Sequence, residues 1–467
     1  MRRWVQNYLV GPKESLRKVM KIITHSPAGI AVVVDAKKRM KGYVQDGDVR
    51  RALLRGANLA APIEKIMNPN PFFLPYGLTR EEQRAELKKH KRLRAPVIDK
   101  EGRVCDVVCY WDLPETGGGD DWHVNHATKK SRERIQLPEV LVVGGAGYIG
   151  SILCRILLER GYKVRVLDKL MYGEASIRDL KKHENFRLIQ GDILQTDVAV
   201  NAVFGVDAVV NLAAIVGDAA CDIDASRTIM VNYISAKMLA DICKHLRVGR
   251  YIFASTCSIY GSSRGKKMMS ENSPLKPITL YAETKLKTEW GILELASENF
   301  SPCILRLATV YGLSPRPRFD LIVNLFTAMA VKNKKITVFG GDQYRPNVHV
   351  YDAARAFAAC IEAPITKIHK QIFNVGSTEQ NCRISELAEK IVRIIPGTET
   401  LQKTNEKDAR DYHVSFGKIK RVLGFKCVKT VEDGIREIRD ALTAGEIGDY
   451  KDTVYSNLES VGSEVFV

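Results

Sequence analysis

The chain has 467 residues, more than one hydrophobic core organises, so two or three units are expected. A composition of 45% apolar and 27% charged residues, with no apolar run of bilayer-spanning length, excludes a disordered chain and a helical membrane span; Met1–Met20 lacks the apolar block of a secretory signal, and the expectation is a cytoplasmic protein. The net charge of +17 is spread along the chain without a nucleic-acid module, so anionic small substrates rather than nucleic acid are the expected partners.

Ala28–Asp35 (AGIAVVVD) is a short apolar run closed by a turn, Lys41–Val44 is a second, and Val49–Arg55 has helical spacing. The order then returns. Arg84–His90 reads as a charged helix, Ala95–Asp99 (APVID) as a strand and Val104–Cys109 as another, so residues 1–113 hold an internal repeat. Through GYVQDGDVRR at 42–51 and the strand at 94–99, the stretch from Lys13 to Leu113 resembles a pair of cystathionine-β-synthase-type (CBS) domains. The resemblance implies an adenine-nucleotide site with Asp48 and Asp112 at its acidic positions. Gln45 and Cys109 stand where that family carries a hydroxyl residue, which leaves nucleotide sensing and dimerisation both open.

Residues 114–137 combine glycine with dense charge and no apolar period, and read as a linker. From 138 to 445 apolar strands alternate with amphipathic helices, the pattern of an α/β fold with a Rossmann-type doubly wound parallel sheet. Residues 446–467 are polar and read as a loose tail.

Glu139–Val143 is a β-branched run that flows into GGAGYIGS and then a helical pattern over Ile149–Arg160. Gly144, Gly147 and Gly150 allow a tight turn, close approach to a pyrophosphate, and phosphate charge on free helix amides. The next strand, Lys163–Leu167, ends at Asp168, whose carboxylate can accept both adenosine ribose hydroxyls and would repel a 2′-phosphate, which favours NAD. Phe186–Gln190 delivers Gly191 and Asp192, and Ala208–Leu212 ends in NLAA.

Arg250–Phe253 leads into STCSIYG at 255–261, and Tyr281 and Lys285 follow at a spacing that puts both on one helix face. Hydride removal from a carbinol requires its proton to leave as well. A free tyrosine titrates near 10, so a neighbouring ammonium has to favour the phenolate, while Thr256 orients the reacting oxygen. The ten cysteines, Cys105 to Cys427, show no C-x-x-C pair and read as reduced, mostly buried thiols; no metal site is expected.

This ordered series, with RLATVYG at 306–312, resembles the extended short-chain dehydrogenase family of nucleotide-sugar epimerases and dehydratases over Glu139–Leu442. The resemblance implies NAD against Gly144, Gly147, Tyr148, Ile149, Gly150, Asp168, Asp192, Ile193, Ala213, Tyr281 and Lys285, with Thr256, Tyr281 and Lys285 catalytic. It also implies a C-terminal substrate-binding part, in which Arg316, Arg318 and Asn324 of SPRPRFDLIVN, with Arg345 and Arg410, meet a nucleotide-diphosphate sugar. A homodimer or homotetramer, with the helix bearing Tyr281 at an interface, is implied too. Cys257 and Ser258 stand where the family's 4,6-dehydratases carry Asp and Glu, which disfavours dehydration; packing is the favoured role of Cys257. The expected reaction is epimerisation through oxidation at carbon 4. A net 4-dehydrogenase or ketoreductase, including one for nucleotide-activated heptose, is the alternative.

Overall fold

The computed structural model describes residues 8–25, 30–45, 48–49, 52, 57–90, 92, 94–109, 138–262, 268–403 and 411–457. The chain divides into two compact units, residues 1–134 and 135–467.

The first unit is built twice from the same parts. Strand β1 (Leu9–Val10), helix α1 (Leu16–His25), β2 (Ile30–Val34) and β3 (Met40–Gln45) are followed by β4 (Leu74–Pro75), α2 (Arg80–Lys89), β5 (Arg94–Ile98) and β6 (Val104–Cys109). In each half a short strand pairs parallel with the middle strand, which forms a hairpin with the next. The repeat extends to single atoms. Asp35 accepts the N–H groups of Lys37 and Arg39 and pairs with the Arg39 side chain; Asp99 does the same with Glu101 and Arg103. These are turns in which an aspartate stands in for a backbone carbonyl. The Met40 N–H donates to Gly102 O at 2.9 Å and the Val104 N–H to Lys38 O at 3.1 Å, so the halves join reciprocally.

Helix α2 begins earlier than its apolar spacing predicts because Thr79 and Glu82 form a capping box, Glu82 accepting the Thr79 N–H at 2.8 Å and Thr79 the Glu82 N–H at 3.2 Å. Asp48 accepts the Gln45 N–H at 3.0 Å. Asp112, most of the expected helix over Val49–Arg55 and the whole expected linker lie outside the described residues.

The second unit starts with β7 (Glu139–Val143), α3 (Gly150–Glu159), β8 (Lys163–Asp168), β9 (Phe186–Gln190), β10 (Ala208–Asn211), α4 (Ala236–His245), β11 (Arg250–Thr256), α5 (Leu280–Leu293) and β12 (Ser301–Leu307). The chain then forms β13 (Thr309–Tyr311), α6 (Ile322–Asn333), β14 (Lys335–Phe339), β15 (Tyr344–His349) and α7 (Val350–Glu362), and returns to the main sheet as β16 (Gln371–Val375). It ends through β17 (Asn381–Arg383), α8 (Ile384–Ile394), β18 (Glu399–Lys403) and α9 (Val431–Thr443).

Seven parallel strands run in the order β16-β12-β11-β10-β7-β8-β9. The order reverses between β7 and β10, and in such sheets ligands bind beyond the carboxyl ends of the strands at that point. Both faces are apolar. Val140 and Val142 pack into one core layer and Leu141 and Val143 into the other, as a sheet covered by helices on both sides requires. A smaller core of Val323, Phe326, Ile336, Leu387 and Ile435 holds the C-terminal part.

The end of the chain corrects the expectation of a loose tail as far as residue 457. Tyr450 and Tyr455 pack edge-on against Phe319, the Phe319 N–H donates to Tyr455 O at 3.0 Å, and Asn457 donates to Val216 O at 3.3 Å. Three aromatic rings hold a segment whose composition is polar.

Candidate active site

Beyond the carboxyl ends of β7, β8, β10 and β11 lies a cleft of about 910 Å³, within the size range of cofactor sites. Its floor is the glycine turn. Gly144 has φ +83°, and a Cβ there would lie 2.9 Å from the Ala213 nitrogen; at Gly150 it would lie 2.2 Å from Gly144 O. Gly145, which the pattern reading passed over, sits so close to Val166 that a Cβ would lie 2.6 Å from it. The turn is therefore packed as bare backbone against β8 and the loop after β10. Helix α3 opens at the turn with no acidic residue in its first turn, so its free amides suit an anion.

Gly144, Gly147, Tyr148, Ile149, Gly150, Asp168, Asp192, Ile193 and Ala213 all line this cleft. Asp168 accepts the Ala146 N–H at 2.9 Å through one oxygen and the Leu170 N–H at 2.8 Å through the other. Burial pushes its pKa up while the two amides oppose that, and each oxygen keeps acceptor capacity. Asp192 accepts the Leu194 N–H at 2.9 Å and lies 3.6 Å from the Lys169 ammonium.

Strand β11 runs three residues further than its apolar run suggests and ends at Thr256. Helix α5 is capped by Thr279, which accepts the Ala282 N–H, so Tyr281 falls in the first turn and Lys285 one turn on. Thr256, Tyr281 and Lys285 line the same cleft as the glycine turn. Lys285 donates to Ala254 O at 2.9 Å, with its ammonium 4.7 Å from the centroid of Phe253 and 6.0 Å from that of Tyr281. Burial pushes Lys285 down to about 8. Burial also pushes the Tyr281 phenol well up, with Cys221 and Asp218 acting the same way and Arg318 and a hydrogen bond with Thr256 acting against. Burial thus favours the uncharged form of both groups.

Asn232 was not singled out from the sequence. It sits in a π-helical turn, Met230–Ser235, and its side chain accepts the Ile215 N–H at 2.8 Å and donates to Ile215 O at 2.9 Å. The Thr288 hydroxyl donates to its carbonyl at 2.9 Å, which joins the loop after β10 to α5.

Cys257 turns away from the cleft. It is fully buried in the core and its thiol donates to Arg306 O at 3.3 Å, whereas Ser258 faces the cleft. The arginines behave differently from one another. Arg316 stacks 3.7 Å over the Tyr172 ring, and its buried Nε and Nη2 have no hydrogen-bond partner among the described residues; burial pushes the guanidinium down to about 10. Arg318 forms a two-point pair with Asp320, at 3.0 and 2.6 Å. Arg345 donates to Tyr344 O at 2.9 Å with its guanidinium over Tyr412. All three line the cleft.

Asn324 requires a correction. The start of α6 turns it inward, and its amide is used within the protein: it accepts the Gly312 N–H at 2.9 Å and donates to Arg318 O at 2.8 Å, to Gly312 O and to the Tyr148 hydroxyl. It holds the arginine loop rather than forming the cleft wall. Arg410 lies outside the described residues. Among those residues no group of His, Cys, Asp and Glu is placed to hold a metal, and no helix is long and apolar enough to cross a membrane.

The NAD dependent epimerase/dehydratase family matches residues 140–376, half of the chain. The chain belongs to this family. A CBS domain matches residues 63–114, the second half of the N-terminal repeat. Over 311 residues the chain is 27% identical to a Bacillus subtilis protein described as an uncharacterized UDP-glucose epimerase, covering 64% of this chain and 95% of that one. It is 28% identical to the dTDP-glucose 4,6-dehydratase of Streptomyces niveus, covering 64% and 90%. In three dimensions it matches the UDP-glucuronic acid 4-epimerase of Bacillus cereus, solved with UDP-glucuronic acid and NAD, with a TM-score of 0.59, 26% identity and coverage of 66% and 99%. As a member of an NAD-dependent family, this epimerase/dehydratase has residues that fit the dinucleotide. The turn admits no Cβ at Gly144 or Gly150, and Asp168 waits at the end of β8.

Proposed function

We propose that the chain is a nucleotide-sugar epimerase working through transient oxidation at carbon 4 of a nucleotide-diphosphate sugar. The observation that carries this reading is the convergence of Thr256, Tyr281 and Lys285 on the cleft floored by the glycine turn. When bound there, NAD supplies the hydride acceptor and a positive charge. Gly144, Gly147 and Gly150 would leave room for its pyrophosphate, with Asp168, Asp192 and Ile193 on the adenosine side and Ala213 towards the nicotinamide. Lys285, held by Ala254 O, keeps an ammonium near the Tyr281 ring. Thr256 orients the carbinol, and Tyr281 takes its proton and later returns it.

The choice among reactions rests on the side chains after Thr256. Elimination of water from carbons 5 and 6 needs an acid able to protonate a departing hydroxyl. Cys257 faces the core and Ser258 offers only a hydroxyl, so the cleft wall carries no carboxyl group there. The unpartnered Arg316 and the cleft-facing Arg345 support an anionic substrate, since guanidinium groups match phosphate and carboxylate oxygens. Exposed Trp290 on α5 supports pairing of that helix with a second copy. For the N-terminal unit we infer an adenine-nucleotide module, supported by the CBS match and by Asp48, which accepts the Gln45 N–H.

The test is incubation of the full chain with UDP-glucose, UDP-glucuronic acid and dTDP-glucose, following product configuration and NADH. Inversion at carbon 4 without NADH accumulation is the expected result. Stoichiometric NADH would make the protein a net dehydrogenase, and a 4-keto-6-deoxy product would make it a dehydratase.

A further inference from the structure

The segment after α9 contributes a residue to the cleft. It is firmly packed: the Tyr450 ring is buried and its hydroxyl accepts the Asn333 amide at 2.9 Å, and a short helical turn at Thr453–Tyr455 opens on Asp452, whose side chain accepts the Val454 N–H at 3.2 Å. From there the chain reaches two loops that belong to different parts of the cleft. Tyr455 O accepts the Phe319 N–H at 3.0 Å, and Phe319 stands between Arg318 and Asp320, both of which line the cleft. Two residues on, the Asn457 amide donates to Val216 O at 3.3 Å, in the loop after β10. Val216 lines the cleft, and so does Asn457 itself.

Neighbouring residues fix where along the cleft this contact lies. Ile215, the residue before Val216, packs with Cys221 in a small apolar cluster against Tyr281, and Asn232 bonds both its N–H and its carbonyl. Asp168 ends β8 and Asp192 follows β9, on the far side of β7 in the sheet. Asn457 therefore stands at the Tyr281 end of the cleft, where a sugar has to lie for that phenol to reach its carbinol.

Only half of the Asn457 amide is used. Nδ2 holds Val216 O, and turning the amide over would set Oδ1 against that carbonyl, acceptor against acceptor, so the donor arm is fixed. Asn457 is 5% exposed, and its Oδ1 is buried with no hydrogen-bond partner among the described residues. Buried acceptors in folded proteins are nearly always paired. Of the groups in a nucleotide-diphosphate sugar, the diphosphate offers acceptors, whereas the sugar ring carries hydroxyl donors.

We propose that Asn457 is a specificity-determining residue of the cleft, its Oδ1 accepting a hydrogen bond from a sugar hydroxyl other than the one at carbon 4. This rests on the reading of the cleft as a nucleotide-sugar site. The contact lies outside residues 140–376, which the family model matches, and is read from this chain's own packing. An acceptor at this place favours a sugar that turns a hydroxyl towards it, and disfavours one with a carboxylate or a bare carbon there.

The full chain, Asn457→Ala and Asn457→Leu are compared by calorimetry in the presence of NAD, with circular dichroism confirming folding. Leucine keeps the bulk of the side chain, so water cannot stand in for the amide. The probes are UDP-glucose and dTDP-glucose, their 2-, 3- and 6-deoxy analogues, and UDP and dTDP. The parent chain is expected to bind one deoxy analogue about tenfold more weakly than the full sugar, the analogue lacking the hydroxyl that meets Oδ1. Both variants are expected to lose about tenfold for the full sugar, to bind that analogue as the parent does, and to keep the parent's affinity for the nucleoside diphosphate, which carries no sugar. A loss shared equally by the nucleoside diphosphate, or variants that still discriminate against the deoxy analogue as the parent does, would overturn the contact. Failure of the parent chain to bind either nucleotide sugar would instead overturn the reading of the cleft, and the contact with it.

Discussion

Replacing Glu289 with alanine is expected to be among the most destabilising single changes in the second unit, and to disturb the site without touching it. Glu289 is 0% exposed and Arg306 2%. The guanidinium meets the carboxylate at two points, Nε to Oε1 at 3.1 Å and Nη2 to Oε2 at 2.7 Å, and Ser255 donates a third hydrogen bond to Oε1. Arg306 reaches on to the Tyr260 hydroxyl at 3.0 Å and Glu271 O at 3.3 Å, so the guanidinium cannot swing to water when its partner is removed. An uncompensated buried charge costs about 3–5 kcal/mol. For a unit of this size that is a fall in Tm of roughly 10 °C. Glu289→Gln keeps the shape and the Ser255 bond but removes the charge, for a loss of about 1.5–3 kcal/mol. Glu289 lies one turn past Lys285 and Ser255 precedes Thr256, so kcat of the folded glutamine variant should fall as well. Thermal melts read by near-ultraviolet circular dichroism measure both variants. Melting within about 2 °C of the parent in both would refute the claim that this pair fixes β11 against α5.

Three further outcomes follow from the same geometry. Gly150→Ala places a methyl 2.2 Å from Gly144 O and has to open the turn, so NAD affinity, measured by fluorescence titration, should fall about tenfold or more, each tenfold being about 1.4 kcal/mol; unchanged affinity would remove the turn as the cradle. Arg316→Met removes a buried guanidinium with unpartnered nitrogens, so the free protein should melt higher while KM for the nucleotide sugar rises about tenfold or more; a lower Tm with unchanged KM would contradict the anion role. Burial raises the Glu437 pKa, but hydrogen bonds from His349 and Lys429 outweigh it and hold the carboxyl down to about 2. A depressed carboxyl pKa stabilises the fold above its unfolded value, about 4.3, and that stability is lost as the pH falls towards 2. Glu437→Gln should therefore flatten the acid limb of the stability profile between those values in denaturant melts, and an unaltered limb would exclude Glu437 from it.

The parts of the molecule that were legible in the sequence are those governed by neighbours along the chain. The strand, glycine turn and helix from Glu139 to Glu159 appear because β-branched residues, missing side chains and helical spacing act within a few positions, and the four-residue step from Tyr281 to Lys285 is itself a helix geometry. The internal repeat of the first unit was visible for the same reason. What stayed hidden depends on tertiary packing. Asn324 sits among residues that face the cleft, yet its amide turns to Gly312 and Arg318, a direction no local pattern specifies. Asn232 is held in a π-helical turn that has no periodic signature, with VNY its only trace. Tyr412 meets Ser258 across the fold, and Tyr450 and Tyr455 pack on Phe319 in a stretch whose composition is that of a tail. Thr79 and Glu82, by contrast, were a readable capping box that apolar spacing alone passed over.

The most direct measurement of the central claim is the fate of hydrogen at carbon 4. UDP-glucose and UDP-glucuronic acid carrying deuterium at that carbon are incubated with the full chain and with Tyr281→Phe. The account predicts product inverted at carbon 4 that keeps its deuterium, no accumulation of NADH, and no inversion by Tyr281→Phe. Exchange of the carbon 4 label with water, or inversion that persists at the parent rate in Tyr281→Phe, would contradict it.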